Sequence, residues 1–397
     1  MPPRARVAII GLNYSPEQTG IAPYTAGLAH KLNEEFDVTV ITGVPHYPRW
    51  RRIPFSESED RQHRHKVVRV PHIVPRTNGM MGRLALELSF TIATFFVKLR
   101  NPKFAIFVTP SLISSYLGLL RIKLLRSGTK TFLWVQDLYG LGSAEIFGKR
   151  NLSTWILNAI ERHAFLLANE IVVIHESFKN HLVENMEIDP NKIVVLKNWS
   201  HFNYQPSKSR SETLQAFGLR DFPTVMHTGN MGMKQGLEHA IDAAVASQAY
   251  QLVLVGDGAC KRDLTIRAMG HSNIVFIPPV DEYELSNLLS CADVLLVQEA
   301  KGVGQMAVPS KLTTYMTTGK PILGATEPDS NSAIEILQSG AGIIVPSGDT
   351  FKMNESLEFL FSNSAMTSAL GAAGLNFAAT HYSQNLNLQK FEALLKR

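Results

Sequence analysis

Apolar residues recur along the chain in short blocks, at 6–12, 37–42, 66–70, 104–108, 131–135, 170–174 and 192–196. Blocks this short, rich in Val, Ile and Phe and without strict alternation, predict strands buried on both faces. Between most of them the apolar positions take helical spacing, as in 24–33, so the first half predicts a parallel sheet covered by helices. A second series follows at 224–227, 251–256, 274–277, 294–297, 321–324 and 342–345. It predicts another doubly wound sheet. The polar stretch 201–220, with Gln205, Ser207, Lys208, Ser209, Arg210 and Ser211, predicts the link between them. The expected organisation is a Rossmann-like domain over 1–205, a second over 206–383, and a terminal helix over 384–397 that packs back on the first. The expected fold class is α/β, two doubly wound parallel-sheet domains facing across a cleft.

Composition agrees with this and narrows the setting. At 397 residues the chain exceeds what one core supports, and with 45% hydrophobic and 18% charged residues it has none of the bias of disorder. Only Cys260 and Cys291 occur, neither in a Cys or His cluster with metal-ligand spacing, so no metal is expected and a reducing, cytoplasmic compartment fits. The apolar run 7–12 is too short for a signal peptide. Net charge is +5, and between Glu87 and Asp137 there is no acidic residue, while Lys98, Arg100, Lys103, Arg121, Lys123, Arg126 and Lys130 fall there. Basic residues interleaved with the apolar stretches 88–97 and 112–120 suggest an anionic membrane surface as partner and disfavour nucleic acid. The run 84–97 is short of the roughly 20 residues that span a bilayer, so the expectation is peripheral attachment. A buried helix with basic ends stands beside it.

Four segments carry candidate chemistry. The loop after the first strand ends Glu17-Gln18-Thr19-Gly20-Ile21 before a helix. Its glycine spacing is wrong for a dinucleotide turn, but the backbone at Thr19 and Gly20 can meet an anion and Glu17 can face a hydroxyl. The strand 224–227 runs into Gly229-Asn230-Met231-Gly232-Met233-Lys234, where glycines admit a ligand and Lys234 adds charge for a diphosphate. Gly256-Asp257-Gly258 and the turn at Pro278 belong at the ligand edge of the second sheet. Ser310 and Lys311 fall where a helix is predicted to begin, and a lysine in a first turn opposes the helix dipole unless an anion offsets it.

Taken in order, these segments resemble glycosyltransferase family 4, retaining nucleotide-sugar enzymes of the GT-B fold. Within that family the chain looks most like the branch that builds bacterial exopolysaccharides of the colanic acid type. That branch has a Pro-Glu-x-x-Gly-Ile loop, matched by Pro16 to Ile21, and a Pro-x-Tyr-Pro stretch, matched by Pro45 to Pro48. Val135-Gln136-Asp137-Leu138, the turn from Gly229 to Gly236 and Pro309-Ser310-Lys311-Leu312 match three further motifs.

The resemblance implies a UDP- or GDP-sugar donor, no cofactor, no metal, and hexosyl or deoxyhexosyl transfer with retention to a polyprenyl-diphosphate-linked saccharide at the inner face of the cytoplasmic membrane. Lys234 and Lys311 are the expected cations at the diphosphate, and Glu17 and Asp137 the expected acceptor-side residues. Two glutamates common in the family are absent, with Met306 and Thr314 at their places and Glu299 as a replacement from a shifted loop. An inactive scaffold of an assembly complex, or a nucleotide-sugar epimerase on the same fold, are the competing readings.

Overall fold

The computed structural model describes residues 3–397 apart from 18–19, 48–49, 56–59, 61–62, 76–79, 126–127, 139–151 and 304–309. The chain divides into two compact units, Met1–Asn198 with Asn385–Arg397, and Trp199–Gln384.

In the first unit, strands β1 (Arg6–Gly11), β2 (Asp37–Thr42), β3 (Lys66–Arg69), β4 (Phe104–Val108), β5 (Lys130–Val135), β6 (Glu170–Val173) and β7 (Ile193–Val195) form one sheet. Its order is β3-β2-β1-β4-β5-β6-β7. Every pairing is parallel. Central strands such as β4 are buried at every position, because helices cover both faces of a parallel sheet. The last helix, Gln384–Lys396, sets Phe391 against Trp134 with ring centroids 5.2 Å apart, and its Lys396 ammonium lies 2.5 Å from Glu35.

The second unit repeats the plan with β8 (Thr224–Asn230), β9 (Gln251–Asp257), β10 (Ile274–Ile277), β11 (Val294–Gln298), β12 (Ile322–Ala325) and β13 (Gly342–Val345). The order is β10-β9-β8-β11-β12-β13, again all parallel. The polar stretch 201–220 is part of this unit. Ser209 and Glu212 make a reciprocal capping box that starts the helix Arg210–Ala216. Ahead of it the backbone N–H groups of Asn203, Gln205 and Ser207 donate to Glu282, Ser286 and Asn287. The polar side chains there cap and anchor; they do not mark a free linker.

Candidate functional site

In each sheet the strand order reverses once, between β1 and β4 and between β8 and β11. Open α/β sheets bind ligands beyond the carboxyl ends of the strands at such a point.

In the second unit the backbone pairing of β8 with β11 ends at Val294↔Val225 and Leu295↔Met226. One residue further, the His227 ring takes over, its Nδ1 3.1 Å from the Leu296 carbonyl oxygen. That contact makes Nδ1 the donor and leaves Nε2 as an acceptor, and the Lys311 ammonium lies 2.9 Å from it. Burial, then the charge of Lys311, hold His227 well below the ordinary imidazole range, so it is a neutral acceptor. Burial also lowers Lys311 to about 7, against the opposing pull of Glu299. The helix Ser310–Met316 that carries Lys311 is tied to the same strand end by Tyr315, whose hydroxyl accepts from the Thr228 N–H at 2.7 Å. Sequence reading gave Lys311 but not His227, which sits 84 positions away in the chain.

Gly229 and Asn230, read as a loop, are the end of β8, paired with Gly256 and Asp257 of β9. This pairing explains Gly256. A Cβ there would lie 2.0 Å from the Gly229 carbonyl oxygen, at a backbone φ of +138°. Gly258 packs likewise against the Met231 backbone, and Met231 and Asp257 are joined by an N–H···O bond of 2.8 Å. Gly256→Ala is therefore expected to cost about 3 kcal/mol and lower the thermal midpoint by roughly 6–12 °C. An unchanged midpoint in differential scanning calorimetry would show that the two strand ends do not need this approach.

Beyond β8 the turn closes on itself, with the Gln235 side-chain oxygen accepting from the Gly232 N–H at 3.0 Å. Lys234 is exposed in it, and its carbonyl accepts from Ala300 N–H at 2.9 Å, joining this turn to the loop after β11. Glu299, in that loop, has both carboxylate oxygens engaged: Thr326 donates to one at 2.5 Å and Ser332 to the other at 2.6 Å. Its place is therefore beside the start of the helix Asn331–Ser339, and its charge reaches Lys311. Gln298, just before it, is 1% exposed and its side-chain amide has no hydrogen-bond partner among the described residues. An unpaired buried amide costs about 1–3 kcal/mol and calls for a functional or structural reason. Ser310 is the first described residue of its helix and Thr314 lies one turn on, half-buried. Pro278 follows β10, the edge strand two places from β8, so it is not among the side chains brought to Lys311. Met306 and Pro309 lie outside the described residues, as does Thr19.

In the first unit, Glu17 is 5% exposed and turned inward. One carboxylate oxygen accepts from the His46 and Tyr47 N–H groups at 2.7 and 2.8 Å, the other from the Asn13 amide at 2.8 Å. It thereby locks the loop after β1 to the Pro45-His46-Tyr47 loop after β2. Gly20, at φ +67°, packs beside the Tyr47 ring. Period-two alternation separates the next pair. Gln136 is buried and exchanges amide hydrogen bonds with Asn198 at 2.7 and 3.2 Å, while Asp137 is exposed at the carboxyl end of β5. The Thr109 hydroxyl holds that end, accepting from the Gln136 N–H at 2.9 Å.

Residues 19–199 match the glycosyl transferase 4-like domain family. The chain is 30% identical over 336 residues, 79% of its length and 81% of the relative's, to the putative colanic acid biosynthesis glycosyl transferase WcaI of Escherichia coli K12. Among solved structures it is similar to Anabaena HepE in complex with UDP, with a TM-score of 0.72 and 14% identity over 98% of this chain and 99% of that one. HepE is also known with UDP-glucose. The sucrose-phosphate synthase of Thermosynechococcus elongatus matches with the same TM-score of 0.72 and 14% identity, over 99% of this chain and 98% of its own. At that identity the structures speak for the fold alone, whereas WcaI speaks for descent. The chain belongs to the glycosyltransferase 4-like family and has the two parallel α/β domains of the GT-B fold.

Proposed function

We propose that this enzyme transfers a sugar from a UDP- or GDP-linked donor to a polyprenyl-diphosphate-linked saccharide in polysaccharide biosynthesis, at the cytoplasmic face of the membrane. The observation that carries the reading is the enclosed Lys311 ammonium, 2.9 Å from neutral His227 at the point where β8 and β11 part. A lysine held near 7 is poorly solvated and gains most from an arriving diphosphate, which draws it into the charged form. Lys234, on the adjoining turn, supplies a second positive charge. The nucleotide bound by HepE supports a donor of this class, and the likeness to WcaI, a putative glycosyl transferase of colanic acid biosynthesis, supports the pathway type.

In the proposed reaction the bond between the anomeric carbon and the diphosphate oxygen breaks, and its electron pair leaves with the diphosphate. The acceptor oxygen bonds to the same face of that carbon, and its proton passes to the departing phosphate oxygen. Configuration is retained without a protein nucleophile. The lysines stabilise the leaving charge, so a divalent cation is not required. Asp137, exposed at the end of β5, orients the acceptor in this reading. Among the described residues no helix is long and apolar enough to cross a membrane, and the reading needs only surface attachment.

The test begins with a thermal-shift panel of UDP- and GDP-sugars on the purified chain. A true donor at about 100 times its Kd raises stability by about 2.7 kcal/mol. Transfer to a lipid-diphosphate acceptor in EDTA, with the linkage read by NMR, completes it. An inverted linkage removes the same-face route, and activity lost in EDTA removes the metal-free one. Binding with no transfer points to a scaffold, and free nucleoside diphosphate released without acceptor points to an epimerase.

A further inference from the structure

The chain after β2 is anchored on either side of Trp50 by contacts that do not use its side chain. Glu17 accepts from the His46 and Tyr47 N–H groups, and the Ile53 N–H donates to the Pro45 carbonyl at 2.8 Å, closing the loop between them. Beyond that closure the Arg69 guanidinium lies 4.7 Å from the Phe55 ring centroid. It donates to both Asp60 carboxylate oxygens at 2.7 Å, to the Gly43 carbonyl at 3.2 Å and to the Ser15 carbonyl. Inside this closed loop Trp50 stands at a backbone φ of +50°. A bulky side chain there is a steric outlier, and glycine or asparagine would serve a plain turn better. Strain of this kind persists where the surrounding structure imposes it, and it clusters at ligand sites.

The indole is half-buried and fixed in direction. Arg83, from the helix Met80–Phe95, lies over the ring at 5.6 Å from its centroid. The Tyr47 and His46 rings meet it at 79° and 64°, with centroids 6.3 and 6.1 Å away. Both neighbours carry hydrogen-bonding atoms. Tyr47 brings a hydroxyl, and the His46 Nδ1, 3.0 Å from the Val44 carbonyl, is a donor that leaves Nε2 as an acceptor.

We infer that Trp50 is the platform of an acceptor-saccharide subsite, with a pyranose lying on its indole and sugar hydroxyls meeting Tyr47 and His46. The C–H groups on one side of a pyranose form an apolar, weakly positive face, which suits the negative face of an aromatic ring. A rigid aromatic flanked by a few polar groups at a ligand edge is the make-up of a small-molecule site. The inference rests on the transferase reading above and deepens it: Lys311 assigns the donor diphosphate to the second unit, which leaves the ligand edge of the first for the acceptor.

The experiment is fluorine NMR of the full-length protein labelled with 5-fluorotryptophan, which reports on its four tryptophans. The signal lost in Trp50→Phe identifies Trp50. The probes are farnesyl diphosphate bearing glucose, galactose or N-acetylglucosamine, farnesyl diphosphate without sugar, and UDP and GDP. The Trp50 signal is expected to move with a sugar-bearing probe and to stay in place with the others. No movement with any sugar-bearing probe overturns the inference. Equal movement with bare farnesyl diphosphate overturns it in favour of the lipid, and movement with UDP or GDP in favour of the donor base. In the transfer assay, Trp50→Gly, which accepts the same backbone without steric cost, is expected to raise the acceptor KM about tenfold with the donor KM unchanged. Trp50→Phe keeps a ring and is expected to stay within about threefold, whereas Trp50→Leu should resemble Trp50→Gly. Leucine as good as phenylalanine, or an unchanged acceptor KM in Trp50→Gly, also overturns the stacking role. A moving Trp50 signal in a protein that no nucleotide sugar stabilises counts against the transferase reading and not against the subsite. Donor stabilisation with an unmoved signal does the reverse.

Discussion

Replacing Lys311 with alanine is expected to lower kcat/KM for the donor by about 10²–10³-fold, the loss typical when one preorganised donor to a developing anion is removed. The same change, or Lys311→Met, is expected to raise the thermal midpoint of the free protein. The two effects have one cause. Lys311 is enclosed beside His227, and burial lowers its ammonium from the ordinary range to about 7. In the unfolded chain the group keeps its usual value. Between the two values the unfolded state binds more protons, so stability rises with pH there. The cost of burying the charged ammonium is fully present below about 7 and fades as pH rises toward the unfolded value. The midpoint gain in Lys311→Met should therefore be larger at pH 6 than at pH 9.

Donor binding runs in the opposite sense. Below about 7 the lysine is already charged and the diphosphate meets it at no further cost. Above that, binding must take up a proton, and the donor KM is expected to rise by up to about tenfold per pH unit. Lys311→Arg, which stays charged, should flatten that profile even if its larger head group lowers the rate. A pH-independent donor KM in the wild type, together with a lower midpoint in Lys311→Met, would remove the diphosphate role.

Glu17→Ala is expected to destabilise the first domain by about 3 kcal/mol. The substitution strands three donors at a buried site: the N–H groups of His46 and Tyr47 and the Asn13 amide. Glu17→Gln should recover most of this, since its amide oxygen can accept from the two backbone donors and Asn13 can turn its own oxygen toward the new NH2 group. The kinetic signature should follow the structure. With the two loops unlocked, the acceptor KM rises while donor stabilisation in the thermal-shift panel is unchanged. A stable Glu17→Ala with a normal midpoint would mean that the carboxylate is not holding the loops. A donor defect in Glu17→Gln would mean that it acts elsewhere.

The layers of this protein and its family are legible in the order of its residues. Strand and helix periodicity are local properties, set by which side chains must leave water every second or every third to fourth position. So the strands near 37–42, 104–108, 251–256 and 342–345 follow from the apolar pattern alone. The motif turns are legible too, since the glycines at 229, 232, 236, 256 and 258 stand out in the sequence, although the atoms that exclude a Cβ at 256 and 258 belong to Gly229 and Met231 at the neighbouring strand end. Which side chains meet, by contrast, is settled by packing between distant elements. Strand order brings β8 beside β11, and the ring of His227 takes over where their pairing stops; the Lys311 contact then spans 84 positions that no period connects. A carboxylate's direction is equally nonlocal. Glu17 and Glu299 were legible as acids in loops at a ligand edge, but the donors that turn them inward come from Asn13, His46 and Tyr47 in one case and Thr326 and Ser332 in the other. The same holds for the apolar run around 84–97. Its composition was plain, but a buried helix and a surface helix share it, and only packing shows that Leu86 and Phe90 take the core while Ile92 and Phe96 remain in water.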